Sequence, residues 1–173
     1  EEMTPRGRDE PKNKGEKSAF NAALAANGDE FNGFGAYSPF PDAAKRSRWQ
    51  DGDLRYDVTI ITHYEGFELK HKYFKKLWQP NLEASYRGNR HENFILLRLA
   101  DVYLMAAEAQ NELGGPGEAY QYINKVRERA FEPDNPLSGL NQTSFREALQ
   151  EERFFELMGE HQRKRDLIRW GLL

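Results

Sequence analysis

Along this chain the spacing of apolar residues passes from irregular, to period two, to the period of a helix. Residues 1–17 are nearly all charged residues, Pro, Gly and small polar residues. They cannot bury enough apolar area to offset their ordering entropy, so they read as a flexible or irregular arm. Residues 18–27 predict two or three helical turns, stopped at Asn27-Gly28. Residues 28–57, rich in Gly, Pro, Asp and aromatics, predict a long loop, and loops that long inside a compact domain are often functional. Then Val58, Ile60, Thr62 and Tyr64 alternate with their neighbours. After Glu65-Gly66 the same alternation holds for Phe67, Leu69, His71 and Tyr73. A β-hairpin over about 58–74 follows, and residues 75–92, interrupted by Pro80 and Gly88, are irregular again.

From residue 93 to 173 the pattern is helical. Ile95, Leu99, Val102, Ala106, Ala109 and Leu113 fall at alternating spacings of four and three, one stripe of a helix. Leu96, Leu97, Tyr103, Leu104 and Met105 widen the stripe, which predicts a central helix buried on several sides. Gly114-Gly115 stops it, and Pro116 opens a second helix whose stripe is Ala119, Ile123, Val126 and Ala130. So short a joint makes the two helices antiparallel. Past Pro133 and Pro136, Ser144 and Glu147 have the spacing of a capping box, predicting a third helix to about Met158 and a short fourth over Gln162–Arg169. The expected fold is therefore mainly α, with antiparallel helix pairs of tetratricopeptide-like length, a small β-hairpin and long loops. Only one full pair and a looser second one are legible, fewer than a free-standing solenoid needs, so further chain is expected to complete the core.

Composition narrows the function more than the fold. A formal net charge of −3 argues against a general electrostatic grip on nucleic acid. The absence of cysteine removes disulfides, thiolate zinc sites and cysteine nucleophiles, and leaves the redox compartment open. No apolar run is long enough to span a bilayer, and the opening residues carry no basic and apolar secretion signal. Glu152 and Glu156, four apart on one helical face, have the residue types of a glycosidase pair. The alternative is a pair of buried carboxylates neutralised by Arg98, Arg127 or Arg153, and it is preferred because a catalytic pair should line a cleft rather than a helix seam. Asp51, Asp53 and Asp57 offer oxygens to a hard cation but lack the EF-hand spacing, and turn chemistry explains the same residues. The four histidines show no zinc pattern, and no dinucleotide loop, P-loop or nucleophile elbow is present, so no cofactor is expected.

The unusual stretch is the aromatic loop. Phe31, Phe34, Tyr37, Phe40 and Trp49 stand among Gly, Pro and Asp rather than in a periodic element. Exposed aromatics there suit stacking on sugar rings. Phe34, Tyr37 and Trp49 would supply the flat faces, and Asn32, Asp42 and Asp51 the polar groups for hydroxyls. The competing role for each ring is to plug the loop onto the helical core. Trp78 and Trp170 adjoin regular apolar sequence and are assigned to the core.

The helices also resemble a known family. The run Leu97-Arg98-Leu99-Ala100-Asp101-Val102-Tyr103-Leu104-Met105-Ala106-Ala107-Glu108-Ala109 is similar to the core motif of the SusD/RagB family of bacterial surface nutrient-binding proteins. Here Leu99 stands for the usual aromatic and Asp101 for the usual glutamate. Residues 123–130 resemble the family's next helix, and 152–171 its C-terminal signature, with Arg165 where an aromatic is common. Gly52-Asp53-Leu54-Arg55 resembles the Gly-Asp-x-Arg before the hairpin, and Lys75-Lys76 the lysines after it. The resemblance implies the C-terminal portion of a non-catalytic lipoprotein. Such a protein hands an oligosaccharide, or sometimes a peptide, to a TonB-dependent, SusC-like transporter at the outer membrane, held by a lipid anchor outside these residues. It also implies that the matched arginines and carboxylates knit helices together while variable loops contact ligand. A tetratricopeptide-like scaffold for a protein partner is the competing reading.

Overall fold

The structure, a computed structural model, describes residues 11–26, 39–76 and 95–173. These fall into two compact units. One is drawn from residues up to Trp49 and from Tyr56 onward, the other from Gln50–Arg55 and the helices after residue 94.

In the first unit, a 3-10 turn over Lys14–Glu16 leads into α1 (Lys17–Ala26). The short helix α2 (Arg55–Thr59) feeds directly into β1 (Ile60–Tyr64), which pairs antiparallel with β2 (Phe67–Phe74). Glu65 and Gly66 both take positive φ, 47° and 83°, as a two-residue hairpin turn of matching twist requires. The strand begins later than its alternation predicts. Val58 and Thr59 belong to α2, and the register is irregular between Ile61 and His63, so Ile61 rather than Thr62 joins the core. Phe20 of α1 is fully buried there, edge-on to Tyr64 and Phe67 at 6.3 and 5.7 Å, with Leu69 and Tyr73 beside it. Part of the expected arm is built in as well. Pro11 bridges Leu69, and the Lys12 N–H donates to the Glu68 carbonyl at 2.8 Å. A proline fits the edge of a sheet because it has no N–H to lose.

The second unit holds α3 (Leu99–Gly114), α4 (Tyr120–Ala130), α5 (Gln142–Glu156) and α6 (Arg163–Arg169). Gly115 closes α3 at φ 83°, its N–H on the Asn111 carbonyl, so the predicted stop is where the double glycine placed it. The α5 cap lies three residues earlier than expected. Asn141, not Ser144, is the N-cap, and its side chain accepts the Ser144 N–H at 2.9 Å. The core joins Ala100, Leu104 and Ala107 of α3, Ala119, Ile123 and Val126 around α4, and Phe145 and Leu149 of α5. Each fully buried large side chain here contributes about 1.5–3 kcal/mol. The buried face of α3 is therefore not the stripe that its spacing singled out. Leu99 is 64% exposed and Leu113 85%, with Val102 and Met105 exposed between them. Both α4 and α5 pack against the opposite side, where Ala100 and Ala107 let them approach closely.

Candidate functional site

The charged residues on the helix seam form one continuous buried network. Glu152 and Glu156, one turn apart on α5, are both buried. Arg55 Nη1 donates to Glu152 Oε1 at 2.5 Å and to Glu156 Oε2 at 3.1 Å, while Nε and Nη2 hold the two oxygens of Asp53 at 2.9 and 2.8 Å. Arg127 Nη1 takes the other Glu152 oxygen at 2.7 Å. Arg98 Nη1 takes the other Glu156 oxygen at 2.6 Å, with Arg129 beside it, and clamps Glu160 through Nε and Nη2. Four guanidiniums thus face four carboxylates, and every oxygen of the glutamate pair has a cationic donor. Such matching is what makes buried charge tolerable.

Burial alone would push the Glu156 carboxyl up, but Arg98, Arg129 and Arg55 together hold it below the ordinary carboxylate value. Burial likewise works against the charged forms of Arg55 and Arg98, and their carboxylate partners nonetheless raise both. Glu156 is therefore ionised at neutral pH and has no proton to donate. A glycosidase pair needs a sugar between its carboxylates; here the Arg55 guanidinium occupies that place. Of the arginines offered as partners, Arg98 and Arg127 meet the glutamates. Arg153 instead joins Asp101 of α3 and Asp166 of α6, each at 2.8 Å. Arg169 extends that second cluster to Glu108, which also accepts from Trp170 Nε1 at 2.9 Å. Trp170 is accordingly half-buried between arginines rather than in the core.

The segment carrying Arg55 is held by backbone. Asp53 bridges Phe131, with Leu54 N–H on the Ala130 carbonyl and Glu132 N–H on the Gly52 carbonyl, both 2.9 Å. Gly52 sits at φ 79°, and a Cβ there would lie 2.8 Å from the Glu132 carbonyl oxygen. Phe131 lies under Arg127 at 4.2 Å and Arg55 at 5.4 Å, a cation–π contact on each. Asp53 is thus committed to Arg55, and among the described residues no group of His, Asp and Glu is arranged to hold a metal ion.

The aromatic-loop candidates separate. Asn32, Phe34 and Tyr37 lie outside the described residues, as does Trp78. Trp49 is only 4% exposed, donates through Nε1 to the Ala43 carbonyl at 2.9 Å and meets Tyr56 edge-on at 5.6 Å. It has no free face for a sugar, so it leaves the candidate ligand surface and serves as an anchor. Asp42 is exposed and paired with Lys45 at 3.1 Å, and Asp51 is exposed in a turn. Among the described residues the ring that stands out is Phe40, 83% exposed, its backbone carbonyl accepting the Ala44 N–H.

Comparison with known proteins places this arrangement. The pattern of the SusD family matches residues 69–172. The chain is 51% identical to SusD-like protein P25 of Formosa agariphila over 99% of its own length and 32% of that protein. It is 34% identical to SusD-like protein P2 of the same organism, over 68% of this chain and 25% of that one. The chain belongs to the SusD family. It spans about a quarter to a third of the length of these relatives. Among solved structures, it is similar to a SusD superfamily protein from Parabacteroides distasonis, with TM-score 0.64 and 25% identity over 76% of this chain and 31% of that one. It is equally similar to surface glycan-binding protein A from Bacteroides uniformis, at TM-score 0.64 and 25% identity over 80% and 30%.

The residues that carry the SusD resemblance are the network itself. Arg98, Asp101, Arg55, Glu152, Arg153, Glu156 and Asp166 all make the interhelical or cross-segment ion pairs just described, and Asp53 holds Arg55 from two residues before it. Two roles lie beyond what spacing encodes. Arg55 lies in the Gly52-Asp53-Leu54-Arg55 motif, yet nothing in its spacing announces that it bridges both glutamates. Phe40 stands between Pro39 and Pro41, a signal of a ring held on stiff backbone away from periodic structure.

Proposed function

We propose that this chain is part of a non-catalytic glycan-binding protein of a bacterial outer-membrane nutrient-uptake system, which delivers oligosaccharide to a TonB-dependent transporter. The observation that carries the reading is the fold shared, within the SusD family, with a protein named for surface glycan binding. The saturated network supports it, since the obvious carboxylate pair has been committed to structure. Ligand contact falls to the aromatic loop, with Phe40 as the stacking face beside Asp42 and with Phe34, Tyr37, Asn32 and Asp51 as further contacts. The protein is held at the cell surface by a lipid anchor elsewhere in the polypeptide.

A glycan array probed with the full-length protein tests this directly. Retention of one or a few related oligosaccharides, with no new reducing ends on prolonged incubation, is the expected result. An array blank for every glycan but positive for peptides would move the ligand to another class. Turnover abolished by Glu156→Gln in a folded protein would overturn the non-catalytic reading.

A further inference from the structure

We propose, resting on the glycan-binding reading above, that the oligosaccharide is acidic, and that Lys45 and Lys72 meet its carboxylate or sulfate groups beside the Phe40 face. Charge is unevenly spread along this chain. Residues 11–26, 39–49 and 56–76 of the first unit carry ten Lys and Arg against five Asp and Glu, although the whole chain has a net charge of −3. A local excess of one sign draws in ligands of the other and raises their concentration at the surface.

Near Phe40 the excess takes a definite arrangement. Residues 39–49 contain Lys45, Arg46 and Arg48 but one acid, Asp42, which is shared between Lys45 at 3.1 Å and Arg48 at 3.7 Å. Arg46 is steadied over the Tyr56 ring at 5.5 Å. Lys72 reaches the same turn from β2, where its Nζ donates to the Ala44 carbonyl at 3.0 Å, an oxygen that also accepts from Tyr56. That partner is neutral. Glu68 on the same strand is held by Lys12 at 3.0 Å, and Lys72 makes no ion pair among the described residues. An ammonium has three N–H bonds, so the half-buried Lys72 keeps donors and an unneutralised charge for an incoming anion. The Ala44 N–H in turn donates to the Phe40 carbonyl at 3.0 Å, which puts the exposed ring and the Lys72 contact on one hydrogen-bonded turn. An apolar face with ammonium groups at its side fits a sugar that carries an anionic substituent. A neutral sugar would use the ring alone.

The full-length protein is applied to an array of uronate-bearing, sulfated and neutral oligosaccharides. The strongest ligand is then titrated calorimetrically beside its methyl-esterified or desulfated form, which keeps the sugar and loses the charge. Retained glycans are expected to be acidic, to lose about tenfold in affinity on neutralisation, and to bind more weakly as salt rises. The esterified and desulfated arms separate a carboxylate from a sulfate. Lys45→Gln and Lys72→Gln should each weaken the acidic form by about threefold and leave the neutral form unchanged. An equal loss with both forms in the two variants overturns the role given to the lysines. Retention of neutral glycans alone, or equal affinity for charged and neutralised forms, overturns the proposal and leaves the glycan-binding reading standing. An array that retains no glycan overturns both. Inorganic polyphosphate bound as tightly as the retained glycan overturns it in favour of a general polyanion surface.

Discussion

Arg55 and Glu152, separated by 97 residues of sequence, meet at 2.5 Å inside the second unit. The contact ties the Gln50–Arg55 segment to α5 within that unit, and the same guanidinium reaches Asp53 and Glu156. One cation therefore neutralises three buried carboxylates in part; removing it takes the guanidinium from Asp53 and one donor from each glutamate, which keep Arg127 and Arg98 respectively.

Arg55→Met is expected to destabilise the protein by about 3–5 kcal/mol, the usual cost of leaving buried charge unpaired. Glu152→Ala should cost a similar amount by taking from Arg127 the carboxylate it meets and from Arg55 one of its three. Arg55→Lys should recover only part of the loss, because one ammonium cannot reproduce the fork that holds Asp53. Urea unfolding of the three variants measures this. A lysine variant as stable as the wild type would show that charge alone, and not the fork, is what matters.

Gly52→Ala meets two obstacles, a left-handed φ and a backbone carbonyl in the way of the new Cβ. A strained φ costs on the order of 1–3 kcal/mol, and the carbonyl must move besides. Gly115→Ala has a similar φ of 83° but open space around it. The melting temperature should therefore fall clearly further for Gly52→Ala than for Gly115→Ala. Equal falls would remove the close approach from the explanation.

Acid should release the network. Glu156 is held below the ordinary carboxylate value in the folded protein. Its contribution is thus fully present above its unfolded value, about 4.3, and is lost as pH falls through the lower folded value. Glu112 is also lowered, by Arg146 on the surface, where salt screens the effect. Stability measured against pH in high salt should stay level down to about pH 5 and drop below about 4.3. In Glu156→Gln the drop should be shallower. Parallel curves would mean that other groups govern acid unfolding.

Phe40 and Trp49 should part company under substitution. Phe40→Ala is expected to weaken binding of an oligosaccharide retained on the array severalfold, since a stacked ring is worth about 0.5–1.5 kcal/mol beyond area burial. Its melting temperature should not move, because the ring is exposed. Trp49→Ala should do the reverse, at about 3–5 kcal/mol of stability. Calorimetric titration beside thermal unfolding separates the two, and unchanged affinity in Phe40→Ala would place the ligand face elsewhere.

What the sequence determined by itself is local. The hairpin turn at Glu65-Gly66, the stop at Gly114-Gly115 and the stripes of α3 and α4 rest on glycine conformation and on side chains that recur every turn. These depend on neighbours a few residues away. Tertiary structure decided whatever depends on distant partners. Leu99 to Leu113 form a true stripe, yet α4 and α5 cover the other side of their helix, because periodicity reports that residues share a face and not what lies against it. Trp49 is inside and Phe40 outside because Tyr56 and the Ala43 carbonyl are at hand for the one ring and not for the other. Arg55 is a hub only because the backbone pairing of Asp53 with Phe131 carries it to α5. No spacing within the chain encodes that meeting; it exists once the segment is docked.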